Sequence, residues 1–431
     1  MYEPKMKLTE EQKLILAGNS GEMKRKCLES IVRMGDIFEA PNLLEVTHKE
    51  CHLVTSFGIN MLSPLYRIMD ELIEDGVFCD DKFTVDPRPL DFKNVKMSLL
   101  EKIVGSKIIY GKQKAYEEQL KKIGLKNENA FTCTCYMPEV GNVPNKGDII
   151  SWAESSAVVF ANSVLGARCN RNSGMFDLFG AVTGFVPNFG LVTDEGRKAS
   201  WKVIIKTSKK PEAQLLGSAI GMKVVEDVPY VIGLDKFIGN EINDQTRDYL
   251  KDFGAATASN GAVGLYHIDN LTPEAKELGD SLIKDDAKTY IIDDEELDRI
   301  YKSYPVMWKN KNKDANRVFI GCPHLSFSQL EEWSNNIIDG LNETNNKKVS
   351  TRVVLTTSPD VLVEFRKTTL YDKICKTGVR ISSVCPLMYT NNPLTHSHRI
   401  LTNSNKLRTY SMARFKTDLE VLNFITGKEN K

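Results

Sequence analysis

From residue 317 onward the chain reads RVFIGC, SQLEEWSNNIIDGL, TRVVLTT, PDVLVEFRKTTLYDKICKTG, RISSVCP and HRILTN in succession. Short β-rich runs bounded by turn residues alternate with stretches of helical period, the pattern of successive βα units. This succession is the strongest fold signal in the sequence and predicts an α/β fold in which strands and helices form layers. The same alternation begins less clearly at Trp201, where WKVIIKT, PYVIGL and GAVGLYHI are interleaved with PEAQLLGSAIG and NDQTRDYLKDFG.

The first 75 residues read instead as helices. LTEEQKLILAG stops at a glycine, GEMKRKCLESIVRMGDIF follows, and PLYRIMDELIEDG closes on another glycine. FTVDPRPLDF then breaks the helical period with prolines, and a charged stretch over 93–130 leads onward. No internal repeat stands out. We divide the chain into a mainly helical part (1–130), a middle part (131–275) and a C-terminal α/β part (276–431).

With 431 residues, 41% of them hydrophobic, the chain can build two or three domains with substantial cores. Its 57 Lys and Arg balance its 57 Asp and Glu, leaving no global field to recruit nucleic acid or an anionic membrane. No run approaches the roughly 18 to 20 apolar residues of a membrane span, and MYEPKMKLTEEQK lacks the apolar core of a secretory signal. The expectation is a cytoplasmic protein with neither nucleic-acid nor membrane partners. Nine cysteines in so large a chain fit reduced thiols or metal ligands better than a disulfide framework.

WAESSAVVFANSVLGARCNRNSG, residues 152–174, interrupts an apolar helical pattern with polar residues on every face. Helical spacing puts Ser155 and Asn162 on one face with Glu154 adjacent, while Arg168, Asn170 and Arg171 lie beyond Gly166. Such a helix either lines a polar cavity or satisfies itself in an interhelical network, and spacing alone leaves both open.

Cys133 in FTCTCY, Cys322 in FIGCPHLS and Cys385 in SSVCPLMY sit where strands are expected to end. Ligands of open α/β sheets bind at the carboxyl ends of strands, and the proline after Cys322 and after Cys385 is expected to stop the strand there. The wide separations exclude a local zinc knuckle, so any metal site must be assembled by the fold. Cys27, Cys51, Cys79 and Cys375 read as ordinary structural residues, and Cys135 and Cys169 are ambiguous. His324 shares its turn with Cys322 and is a better acid–base candidate than His52 or His267. His396 and His398 in THSHR read as solvated. LTNSNKLRTY offers Asn403, Ser404 and Lys406 at one more strand end, where turn chemistry alone also explains them. The glycine-containing runs lack the context of a nucleotide-binding loop.

The segments TCTCY, GDIISWAESSAVVFANSVLGARCNR, GLYHIDNLTPEA, IGCPHLS, SVCP and LTNSNK, in that order from about residue 132 to 406, resemble the catalytic large subunit of the aconitase X family. The resemblance covers most of the chain, and its Glu-Ser-Ser block is long and specific. It implies an α/β fold: an aconitase-like multi-domain α/β/α catalytic lobe without the swivelling domain. It also implies a hydro-lyase with an iron–sulfur cluster on Cys133, Cys322 and Cys385, and a cavity lined by Glu154, Ser155, Asn162 and Arg168. Where the family reads Thr-Cys-Thr-Pro-Tyr this chain has Cys135, a second thiol able to replace or supplement Cys133.

Removing a proton from a weakly acidic carbon and expelling hydroxide calls for a Lewis acid and charge-fixing groups. On that basis Glu154, Ser155, Lys406 and His324 are the catalytic candidates, and Asn162, Arg168 and Ser404 the substrate-binding ones. After LTNSNK only about two dozen residues remain, too few for another domain, so a separate small swivelling-domain subunit is expected. The preferred substrate is cis-3-hydroxy-L-proline, the alternative within the family is mevalonate 5-phosphate, and other classes are an iron–sulfur redox sensor and an inactive scaffold.

Overall fold

A computed structural model describes residues 2–311, 313–395 and 398–428; His396 lies outside them. The C-terminal βα succession forms a five-stranded sheet in the order Arg380–Ser382, Arg352–Thr357, Arg317–Leu325, Ile400–Thr402, Arg414–Phe415, parallel throughout. Chain order runs outward from Arg317–Leu325 to one edge and then returns to fill the other side. The strand order therefore reverses beside Arg317–Leu325, and such a switch point opens a crevice at the carboxyl ends.

Both faces of this sheet are covered, as a parallel sheet requires. Along the central strand Val318 and Ile320 pack into one apolar core with Leu330, Ile337 and Val421, whereas the alternate residue Phe319 faces another with Val95, Met97 and Leu407. The helix Phe327–Thr344 opens with a capping box of Ser326 and Gln329, and Asp418–Thr426 with one of Thr417 and Glu420. PDVLVEFRKTTLYDKICKTG is two helices rather than one continuous run, because Thr368 leaves the helical conformation and its hydroxyl accepts the Tyr371 N–H (3.3 Å).

A second parallel sheet orders His267–Ile268, Pro229–Ile232, Ala199–Ile205 and Ile283–Ile292. Its helices Ala213–Val224 and Asp244–Asn260 cross closely. Gly217 makes this approach feasible, since a Cβ there would lie 2.3 Å from the Phe253 carbonyl oxygen. The helical N-terminal region comprises Glu10–Leu16, Glu22–Ile37 and Ser63–Glu74 as the glycine stops suggest, followed by short pairings such as His52–Leu53 with Thr84–Val85. Among the described residues no helix is long and apolar enough to cross a membrane.

The polar segment is an α-helix only over Ser155–Phe160. It widens into a π-turn over Ala161–Leu165 and ends at Gly166 in the left-handed region (φ 76°). A π-turn rotates the side chains that follow it out of α-helical phase.

Candidate active site

The strand Arg317–Leu325 does not stop at Pro323. Pairing with its neighbour passes from Leu355↔Ile320 directly to Thr357↔Leu325, so Gly321, Cys322, Pro323 and His324 bulge out of the ladder. Proline has no N–H to donate, and a bulge accommodates it inside a strand. Gly321 has φ 102°, and a Cβ there would meet the Thr356 carbonyl oxygen at 2.4 Å, so this bulge needs glycine. Pro386 does not itself stop a strand, because Arg380–Ser382 has already ended; it opens the helix Pro386–Thr390, and the Met388 N–H donates to the sulfur of the capping residue Cys385 (3.5 Å).

Cys133, Cys322 and Cys385 are free thiols that interact electrostatically, Cys322 with each of the other two. Burial pushes all three up, Cys322 to about 11, and Lys406 acts on each of them in the opposite sense. Cys135 points elsewhere, toward the His52 imidazole, and is fully buried in the core. Cys169 shares its sulfur with the Trp152 and Asn170 carbonyls (3.5 and 3.2 Å).

At the centre of this region lies a buried ion pair between the Lys406 ammonium and Glu154 Oε1. Ser156, which sequence reasoning passed over for Ser155, donates its hydroxyl (2.7 Å) and its N–H (3.1 Å) to the same carboxylate oxygen and accepts from Lys406 (3.2 Å). Its signal was positional, because the residue two past an acidic N-cap is where a capped N–H lies. Lys406 and the Ser156 bonds hold Glu154 below the usual carboxylate range against the cost of burial. Ser155 occupies the first helical position beside the pair. Ser404 caps the helix Asn405–Tyr410 through the Leu407 N–H (3.2 Å), and its hydroxyl donates to the Cys322 carbonyl.

His324 is wholly buried, with its pKa held down to about 4 by that burial. The Val384 carbonyl can only accept, so Nε2 carries the proton toward it (3.2 Å) and Nδ1 accepts from the Thr132 hydroxyl (3.2 Å). The His324 N–H donates to Cys133 Sγ (3.4 Å), and Lys251 Nζ donates to its carbonyl (3.0 Å). One residue of the Cys322 turn thus ties together the turns bearing Cys133 and Cys385.

Asp86 and His52 form a second buried pair beside the site, 3.4 Å apart, that sequence reasoning did not connect; burial and Glu154 raise the Asp86 carboxyl. His398 is not solvated, since its Nε2 lies 2.6 Å from Glu101 Oε1.

Two candidates lie away from this centre. Asn162 is sealed in, donating to the Cys169 and Gly264 carbonyls (both 2.8 Å) and accepting the Cys169 N–H (2.9 Å). Arg168 donates to the Val192 carbonyl (2.9 Å) and pairs with the exposed Asp194 (2.5 Å). The polar helix therefore has two jobs along its length: its first turn faces Lys406, and its middle satisfies itself.

Three family models match in sequence order: Aconitase X first domain over 5–195, second domain over 200–302 and third domain over 315–424. The chain belongs to the aconitase X family. It is 33% identical over 329 residues to the phosphomevalonate dehydratase large subunit of Thermococcus kodakarensis, covering 76% of each chain. The Methanosarcina mazei protein of that name is 29% identical over 412 residues, 94% of this chain and 92% of the relative. The cis-3-hydroxy-L-proline dehydratase of Hypocrea jecorina is 30% identical over 288 residues, 65% of this chain but 46% of that longer one. The crystal structure of Thermococcus kodakaraensis aconitase X in its holo-form superposes with a TM-score of 0.79 at 29% identity, covering 97% of this chain and all of that one. The aconitase-like α/β fold and the hydro-lyase class follow from this membership.

Proposed function

We propose that this aconitase X chain is the large subunit of a dehydratase acting on a small hydroxy acid, with mevalonate 5-phosphate ahead of cis-3-hydroxy-L-proline as substrate. One observation carries the catalytic reading: the Lys406–Glu154 pair is buried among three thiols at the switch point of a parallel sheet. The substrate preference reverses the one drawn from sequence. Its support is that large-subunit relatives named for phosphomevalonate match over comparable lengths, whereas the hydroxyproline enzymes are longer than the matched segment.

The donor set fits an iron–sulfur cluster. Among the described residues no three His, Cys, Asp or Glu side chains converge as they would on a single ion. Three soft sulfurs from separate turns, two of them receiving backbone N–H bonds, suit a larger anionic cluster, and Lys406 supplies a nearby positive charge. Cys133, Cys322 and Cys385 would hold it; bound there, it supplies a Lewis acid for the departing hydroxyl.

Glu154 is the base in this reading. Every hydrogen bond to its carboxylate falls on Oε1, which leaves Oε2 open to take the proton from the carbon beside the substrate carboxylate. Lys406, held protonated by Glu154 and the neighbouring sulfurs against burial, offsets the negative charge that develops there. Ser155 and Ser404 border the reacting groups, and His324 positions the cysteine turns rather than exchanging protons.

The large-subunit names of the relatives also support a separate small subunit that completes the cleft. The test is anaerobic co-purification with the candidate small subunit and assay against both substrates. Dehydration of mevalonate 5-phosphate by the complex, with little by the chain alone, is the expected result. Full activity of the chain alone removes the two-subunit reading, and a cluster without turnover of either compound removes the dehydratase reading.

A further inference from the structure

The GARCNR motif carries two arginines with opposite fates. Arg168 is committed to Val192 and Asp194. Arg171 is exposed, and among the described residues its guanidinium has no hydrogen bond or ion pair. Its stem is nevertheless well placed. It lies across Gly264, where a Cβ would come within 2.9 Å of Arg171 Cγ and 3.1 Å of Cδ, so glycine leaves the channel it occupies.

The backbone on either side is pinned. Asn170 donates to the Phe189 carbonyl (2.9 Å) and accepts the Leu191 N–H (2.7 Å), while Asn172 donates to the Trp152 carbonyl (3.3 Å). The Asn172 bond to the Trp152 carbonyl sets this turn two residues from Glu154, the carboxylates acting on Arg171 are Glu154 and Glu226, and Tyr410 ends the helix carrying Lys406 on the same side. The guanidinium is thus held at the rim of the Glu154–Lys406 centre with its donors free.

We infer that Arg171 is the specificity-determining residue that grips an oxyanion of the substrate, leaving the reacting carbon to Glu154. A guanidinium presents two parallel N–H donors that match carboxylate or phosphate oxygens. The ammonium groups of the centre below are already engaged, Lys406 by Glu154 and Ser156 and Lys251 by the His324 carbonyl and Gln329. The inference rests on the proposed dehydratase reading and adds to it the group that selects an anionic substrate.

The test uses the cluster-loaded complex with its small subunit, in wild-type, Arg171→Ala and Arg171→Lys forms. For whichever substrate the wild type dehydrates, Arg171→Ala should raise KM about 10- to 100-fold with a much smaller change in kcat, and Arg171→Lys should recover part of the loss. Calorimetric binding of inorganic phosphate and of acetate forms a separate arm: the anion that binds the wild type should bind Arg171→Ala at least about tenfold more weakly, which identifies phosphate or carboxylate as the group held. An unchanged KM, or anion binding that is equal in the two forms or absent from the wild type, overturns the inference. Failure of the cluster-loaded wild type to turn over either compound overturns the dehydratase reading instead, and the anion-binding arm still decides Arg171.

Discussion

The sheet of residues 199–292 and the sheet of residues 317–415 both lay out their first four strands in the order third, second, first, fourth, all parallel. They place their buried charge at opposite ends. In the earlier sheet Arg197, just before the first strand, donates twice to Glu274 (2.7 and 2.8 Å) and to the Asn162 and Leu191 carbonyls (both 2.9 Å), and its own carbonyl pairs with His267 Nε2 (2.8 Å). That network sits at the amino ends and is satisfied internally. In the later sheet the carboxyl ends carry a glycine-dependent bulge, three thiols and an ion pair whose carboxylate keeps one oxygen free. The same topology offers the same crevice twice, and side-chain chemistry distinguishes the two.

The sharpest way to break this comparison is at the thiols. Cys322→Ser and Cys385→Ser should lose iron, acid-labile sulfide and essentially all turnover together, because a poorly ionised hydroxyl replaces a soft ligand. Cys27→Ser and Cys375→Ser should keep metal content at the wild-type level, and iron retained in both ligand variants would refute the assignment.

Next in size, Glu154→Gln and Lys406→Met should cut turnover by about 10²- to 10⁴-fold while the cluster stays in place, as read by iron content and visible absorbance. Loss of cluster in these variants would instead make the pair structural.

The amino-end network should answer to acid rather than to turnover. Burial holds His267 down to about 4 in the fold, whereas an unfolded histidine titrates near 6.5, so between those values the unfolded chain binds more protons. Stability should fall as pH drops through that window, by about 3 kcal/mol from this group at its lower end. Urea titrations of His267→Gln should show a shallower loss than wild type; identical slopes would remove His267 from the acid response.

The smallest effect is expected at Arg168, whose partner Asp194 is almost fully solvated. Arg168→Lys should change kcat and KM by less than about threefold and stability by less than about 1 kcal/mol. A large rise in KM would return Arg168 to the substrate.

Much of this was legible in local pattern. The C-terminal strands appear where the β-branched runs place them, and Cys133, Cys322, Cys385, Glu154 and Lys406 come together although up to 273 residues separate them. Three things were not legible. Pro323 reads as a stop in one dimension, and only pairing with Leu355 and Thr357 shows that the strand continues. Asn162 and Arg168 have the chemistry of ligands, and their commitment to Gly264 and Asp194 is a long-range fact with no local signature. The shared strand order also leaves no sequence repeat, since parallel strands demand only apolar character.

His324 joins three turns that are 60 and about 190 residues apart in the chain. Such a knot has a consequence for motion. If each turn opened independently, its backbone amides would trade hydrogen for deuterium at its own rate. With one imidazole spanning Thr132 and Val384, opening any turn strands a buried nitrogen, so all three should become protected and deprotected together as one cooperative unit. Replacing His324 by alanine would then divide that unit into parts with distinct exchange rates, even in apoprotein, where metal plays no part in holding the turns.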